Sequence, residues 1–360
     1  MRACFFSIVI YNKRDFKVLI LHKIKEIGDC NMPGNSVGEI IYNFVVIYLV
    51  LSFALTCYSV IRMYVVKHHC NGVKYGKARI KTLVSQGRFS QMPIYSMEEI
   101  RENKDLKTVR LSYFPNDTGE KTKFVLILPG GGYAHCVTSE EGYPVAAKLN
   151  EMGYSCFVLE YRTGFHCSDY APMEDVARAL AYIEKRQNDF HVELDDYALC
   201  GFSAGGNLAG MYAGKEYGYE RYGTRKPAAI ILGYPWTNIF HWFDHPYWNI
   251  WKGVMGIWLS ERGFVYMFGW HCNRQKRESL CVQNHVTEDY PPTYMFSGGR
   301  DVLVPASHHG EILEKALEDN GVMNKYRRFY SLPHGIGLGL GTAAEGWLAE
   351  AVEFWERACK

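Results

Sequence analysis

The chain has 360 residues, 48% hydrophobic and 22% charged, with 40 Lys+Arg against 38 Asp+Glu and a net charge of +2. That length fits one large α/β domain plus an appendage, and a near-neutral balance without a basic run argues against a nucleic-acid partner. The eleven cysteines include no C-x-x-C pair; they read as buried free thiols of a reducing compartment and give no metal site.

Residues 1–39 hold two short apolar runs, CFFSIVI and FKVLIL, and no interpretable motif. Residues 40–61, IIYNFVVIYLVLSFALTCYSVI, carry no charge. A helix rising about 1.5 Å per residue over that length spans the roughly 30 Å hydrocarbon layer. Tyr42 and Tyr58 lie near its ends, where amphipathic rings favour the interface. The alternative is a helix packed on the rest of the protein. The preceding stretch is too long for a signal-peptide n-region, and a start at Met32 leaves Glu39 and no positive charge. Cys57 follows Ala54-Leu55-Thr56, a poor lipoprotein cleavage sequence. An uncleaved single-pass anchor is the expectation. Lys25 is the only basic residue among 25–39, whereas Arg62, Lys67, Lys74, Lys77 and Arg79 follow the span. The positive-inside rule then puts the downstream domain on the cytoplasmic side. Residues 62–105 read as a linker, with a short amphipathic helix around SMEEIREN.

From residue 106 onward, strand-like and helix-like patterns alternate. TVRLSYF and FVLILP read as strands, the second running into Gly130-Gly131-Gly132. Three glycines let the backbone approach a ligand and aim N–H groups at it. Taken with the serine motif below, they suggest an oxyanion hole built from the Gly131 and Gly132 amides. A plain turn or a phosphate loop is the alternative, but the G-x-G-x-x-G spacing with a later acidic residue is missing. SCFVLEY is the next strand, and PMEDVARALAYIEKRQ a helix with Val176, Leu180 and Ile183 on one stripe.

The strand YALCGFS leads into Gly201-Phe202-Ser203-Ala204-Gly205, a G-x-S-x-G pattern between a strand and a helix. That context marks a nucleophile elbow, with serine at the strained apex and glycines where side chains would collide. The Ala204 amide becomes the third oxyanion donor. The strand AAIILGYP precedes a segment that holds six of the eight tryptophans, from Trp236 to Trp270. This is read as part of a cap-like insertion over about 236–285. Tyr133 and Trp236 are the candidate pocket residues, the alternative being that the rings form the cap's own core.

PTYMFSG is a strand followed by Asp301; SHHGEILEKALEDNG is a helix; YRRFYS is the last strand, followed by His334; AAEGWLAEAVEFWERA is the closing helix. Nucleophile, acid and histidine follow one another in that order on this type of fold. Ser203, Asp301 and His334 are therefore the expected triad, with Asp289 and Asp244 as alternative acids that follow no strand directly. His308 and His309 fall at a helix start. The pattern predicts an α/β-hydrolase fold: a mostly parallel sheet with helices on both faces, a small cap insertion and an N-terminal hydrophobic helix.

These stretches, LPGGGYAHCVTSEEGYPVAAKLNEMGYSCFVLEYR, CGFSAGGNLAG, ILGYPW, NHVTEDYPPTYMFSGGRDVLVP and LPHGIGLG among them, resemble the acetylxylan-esterase-like α/β hydrolases over about residues 107–358. The resemblance implies a serine esterase without a cofactor that deacetylates carbohydrates or small esters, and it supports the same triad. Pro129 stands where related lipase-like esterases carry a histidine outside the triad. The apolar span is not a feature of that group. The expected function is a carboxylesterase for short acyl esters. The alternatives are a membrane-anchored lipid or arylamide hydrolase, a serine peptidase, and a non-catalytic binder on the same scaffold.

Overall fold

The computed structural model describes residues 37–240, 249–270 and 272–360. Expectations that fall on residues 1–36, and on Trp242, Asp244 and Trp248, lie outside the described residues.

Eight strands form one sheet in the order β1-β2-β4-β3-β5-β6-β7-β8. They are β1 (Ser90–Met92), β2 (Arg110–Phe114), β3 (Thr122–Leu128), β4 (Ser155–Glu160), β5 (Val192–Phe202), β6 (Ala229–Gly233), β7 (Thr293–Gly298) and β8 (Asn324–Phe329). Strand β2 runs antiparallel to both β1 and β4, and every pairing from β4 to β8 is parallel. The central strands are continuous apolar runs because both faces of the sheet are covered. Alternate residues divide between two cores: Leu126 and Leu128 face one, Val125 and Ile127 the other.

The first core takes side chains from α4 (Ala171–Lys185), α5 (Ala204–Ala213), α6 (Ile250–Phe268) and α7 (Gly310–Asp319). The second takes them from α2 (Val73–Ser85), α3 (Tyr143–Glu151) and α8 (Trp347–Ala358). The α/β-hydrolase architecture expected from the sequence is the one observed. Helix α6 lies within the segment read as a cap.

The N-terminal part departs from the sequence reading. Helix α1 runs Val37–Cys70, 34 residues, well beyond the apolar stretch. The described residues fall into two units that divide between Leu51 and Ser52. In the first, the helix side chains of Ile41, Tyr42, Phe44 and Ile47 are exposed. In the second, residues 62–105 are folded and do not form the expected linker. Cys70 and Leu83 are buried in the second core, and Ile94, Tyr95 and Leu106 in the first. Gly76 of α2 lies so close to α3 that a Cβ would stand 2.8 Å from the Pro144 nitrogen. Strand β1 adds a three-residue edge to the sheet. The stretch reads as a linker because Lys74, Lys77, Arg79 and Lys81 dominate it, while α2 buries little more than Gly76 and Leu83.

The end of α1 is joined to the loop after β8. The Leu340 amide donates to the Cys70 carbonyl at 2.9 Å, and a Cβ on Gly337 would meet the Asn71 carbonyl at 2.7 Å. If α2 is part of the fold, Leu83→Ala should cost about 2–5 kcal/mol of stability, the usual range for emptying a fully buried leucine site. Urea unfolding followed by circular dichroism measures it, and a loss near zero would mean that α2 folds apart from the sheet.

Candidate active site

Strand β5 ends at Phe202 and α5 begins at Ala204, leaving Ser203 alone at the turn with φ 52° and ψ −118°. Few residues other than glycine adopt such a conformation, and it persists only where neighbours fix it. Here the Ser203 amide donates to the Gly233 carbonyl at 3.0 Å, and the Ser203 carbonyl accepts from the Trp236 amide at 3.0 Å. The flanking glycines are required by space. A Cβ on Gly201 would stand 2.3 Å from the Gly205 carbonyl oxygen, and one on Gly205 would stand 2.1 Å from that of Leu128.

Asp301 follows β7 and His334 follows β8, so both come from the same edge of the sheet as Ser203. His334 Nε2 lies 2.9 Å from Ser203 Oγ, and His334 Nδ1 lies 2.6 Å from Asp301 Oδ2. The other carboxylate oxygen, Oδ1, accepts the amides of Leu303 at 2.9 Å and Val304 at 2.7 Å. This fixes the carboxylate towards the ring. With Nδ1–H donating to Asp301, Nε2 is left to accept from the serine hydroxyl. The three side chains expected from the sequence thus meet in one hydrogen-bonded row. Two of the alternatives, Asp289 and His309, do not join it. Asp289 is exposed and pairs with Lys215, and His309 is buried with its Nδ1 accepting the Asn238 amide.

The glycine loop after β3 faces Ser203: a Cβ on Gly130 would stand 2.8 Å from the Ser203 Cβ. Gly131 and Gly132 have φ +128° and +61°. The amides of Gly131, Gly132 and Ala204 donate to no acceptor among the described residues. Two of these uncommitted donors lie in the glycine loop after β3 and the third at the first residue of α5, and uncommitted backbone amides are the donor type that anions recruit.

Tyr133 and Trp236 are placed differently from the expectation that they line a pocket. Tyr133 is buried, and its hydroxyl donates to Asn207 Oδ1 at 2.8 Å, making it a strut between the glycine loop and α5. Trp236 is also buried, its ring 2.9 Å from the position of a Cβ on Gly263 of α6. Both aromatics serve as packing around the site. A cavity of about 480 Å³ is bordered by Arg62, Lys252, Arg300, Asp301, Pro305 and Pro333, and by neither aromatic.

Sequence reasoning missed Glu141, Tyr234 and Arg262. Glu141 is buried; it accepts the Gly130 amide at 2.7 Å and the Tyr234 hydroxyl at 2.9 Å, while the Tyr234 oxygen accepts the Gly337 amide at 3.1 Å. A Glu-Glu pair beside a turn carries no signal of burial. Tyr234 directly follows a strand and has φ 36°, a conformation that no pattern announces. Arg262 sits on the fourth turn of α6 with Nη2 2.8 Å from the position of a Cβ on Gly132.

Burial raises the Glu141 carboxyl above its ordinary pKa, opposed by the charges of Lys67 and His334 and by the donors from Gly130 and Tyr234. A carboxyl whose folded pKa is raised contributes stability below its unfolded value and loses it as pH rises through the folded value. The stability of the wild-type protein relative to Glu141→Gln should therefore fall as pH rises from 4.5, the ordinary value. Paired thermal melts across that range check it, and an advantage that stayed constant or grew would contradict it.

The chain matches the BD-FAE family over residues 112–317. It is 25% identical to an acetylxylan esterase of Xylanibacter ruminicola over 237 residues, 65% of this chain and 45% of that protein. It is 24% identical to endo-1,4-beta-xylanase B of Butyrivibrio fibrisolvens over 248 residues, 66% of this chain and 36% of that one. The chain thus spans less than half the length of either relative. Among solved structures, the acetyl ester-xyloside bifunctional hydrolase of Caldicellulosiruptor lactoaceticus superposes with a TM-score of 0.62 at 23% identity, covering 74% of this chain and 96% of that one. At that identity the likeness shows the fold.

Proposed function

The chain belongs to the BD-FAE family, and from that premise we propose that it is a serine carboxylesterase removing short, acetyl-type acyl groups, with carbohydrate esters among its candidate substrates. The observation that carries the proposal is the row Ser203 Oγ, His334 Nε2, His334 Nδ1, Asp301 Oδ2, with spacings of 2.9 and 2.6 Å. The names of the acetylxylan esterase relative and of the bifunctional acetyl ester hydrolase neighbour agree with it.

In this reading Ser203 attacks the ester carbonyl while His334 Nε2 takes its proton. Asp301 holds the ring and stabilises the imidazolium. The amides of Gly131, Gly132 and Ala204 receive the oxyanion. The alcohol leaves with the proton from His334, and water then cleaves the acyl-enzyme by the same steps. None of these steps calls on a metal or cofactor. An ordered row of all three side chains argues against a non-catalytic binder.

We also propose that residues 40–61 cross the membrane once, with the catalytic unit on the cytoplasmic side. Supporting this are the uninterrupted helix Val37–Cys70, the exposed apolar side chains along it, and the basic residues that follow the span.

The full chain in mild detergent should release p-nitrophenol from the acetate ester faster than from the butyrate or octanoate. Ser203→Ala should lower kcat by about four orders of magnitude or more because it removes the nucleophile, and Asp301→Asn by a similar factor because it leaves the imidazole in the wrong tautomer. Ser203→Ala retaining a tenth of the wild-type rate would overturn the assignment.

A further inference from the structure

Helix α6 connects two parts of the molecule with different chemistry. Its last turns belong to the active site: the Arg262 guanidinium lies against Gly132, and Gly263 lies under Trp236. Its first half is an exposed apolar surface, with Val254 54%, Ile257 39% and Trp258 60% exposed. These positions, spaced i, i+3, i+4, share one face of the helix. Exposed apolar side chains in a row on a functional element mark a contact surface.

The neighbour of that face indicates what covers it. The start of α6 is fastened to α1 within the apolar stretch. Asn249 caps α6 by accepting the Trp251 amide at 3.1 Å, and the same side chain bonds α1 through Thr56 Oγ1 at 3.2 Å and the Ser52 carbonyl at 3.3 Å. The Trp251 ring meets Phe53 edge-on at 5.3 Å. Phe53 lies eight residues before Ile61, the end of the uncharged stretch, or about 12 Å along a helix. A segment attached at that level lies within the acyl-chain layer, about 12 Å in from its edge, whenever 40–61 spans a bilayer.

Cations cluster beside this junction. Arg62, Lys252, Arg300 and Arg328 border the cavity of about 480 Å³ together with Leu55 and Tyr58 of α1. Arg328 pairs with Glu311, and Arg62 donates to the Ser331 carbonyl at 3.1 Å. Asp301 is the one carboxylate on the border and is held by His334. Arg62, Lys252 and Arg300 have no carboxylate partner among the described residues. An apolar helix face with basic residues and a tryptophan at its margin is the composition of an interfacial helix on an anionic membrane.

We propose that α6 lies in the membrane interface beside α1, with Val254, Ile257 and Trp258 among the acyl chains and Arg62, Lys252 and Arg300 at anionic headgroups, so that the site takes amphiphilic esters presented by the bilayer. This rests on the reading of residues 40–61 as a span and deepens the esterase reading by naming where its substrate resides. The acyl group removed can still be short; the apolar anchor is the remainder of the ester.

The test reconstitutes the full chain in vesicles of phosphatidylcholine and phosphatidylserine carrying a radiolabelled lipid. Ile257→p-benzoylphenylalanine and, separately, Ile47→p-benzoylphenylalanine report lipid contact after illumination. Crosslinking to lipid at both positions is expected. Crosslinking at 47 but not at 257 would overturn the inference and leave the span intact. Crosslinking at neither would remove the span and the inference with it. In the same vesicles, Val254→Glu with Ile257→Glu should slow hydrolysis of an acetylated diglyceride about tenfold or more, while p-nitrophenyl acetate in solution stays within about twofold of wild type. Equal losses on the two substrates, or none on either, would overturn the claim that α6 delivers substrate from the bilayer.

Discussion

One buried carboxyl group joins the loops that make the site. Glu141 accepts from Gly130 at the root of the glycine loop and from Tyr234 just after β6. Tyr234 in turn accepts from Gly337 in the loop that bears His334, and its ring lies edge-on to the histidine at 4.8 Å. Three segments far apart in the chain are thereby held to one group. Burying a carboxyl is costly unless it is neutral or fully hydrogen-bonded. Its raised pKa and its donors are two sides of that balance. This connection ties the loop of the proposed oxyanion donors to the loop of the proposed base.

The N-terminal helix reaches the same centre. Lys67, in the last turn of α1, pairs with Glu140, and its side chain touches Gly335 next to His334. The Cys70 carbonyl then receives the Leu340 amide. The helix thus ends against the loop that bears His334, so the orientation of that loop is tied to the orientation of residues 52–70. Helix α6 makes a second attachment through Asn249, and its Arg262 lies against Gly132. The proposed oxyanion loop and the proposed base are therefore each in contact with an element that also touches α1.

Some of this was legible in the sequence. The strand–helix alternation gave the architecture because the central strands are buried on both faces and read as unbroken apolar runs. Ser203 was legible because steric crowding demands glycine at 201 and 205, and that demand leaves a motif. Asp301 and His334 followed from their places after two strands. Residues 62–105 were misread because α2 is a strongly basic helix with a narrow buried stripe, and composition hides such a stripe. Tyr133 and Trp236 were found as aromatic residues near the site, but their direction depends on backbone angles and on partners such as Asn207 and Gly263. Glu141 left no trace, since its burial is a product of tertiary structure and two adjacent glutamates normally read as surface.

The most direct test of the account is the intact mass and peptide map of the full chain after exposure to a fluorophosphonate, an acyl-transfer mimic that reacts only with an activated serine. One adduct per chain, located on Ser203 and absent from His334→Ala, is the expected result. A folded wild-type protein that stays unmodified, or one modified at another serine, would contradict the proposed catalytic row.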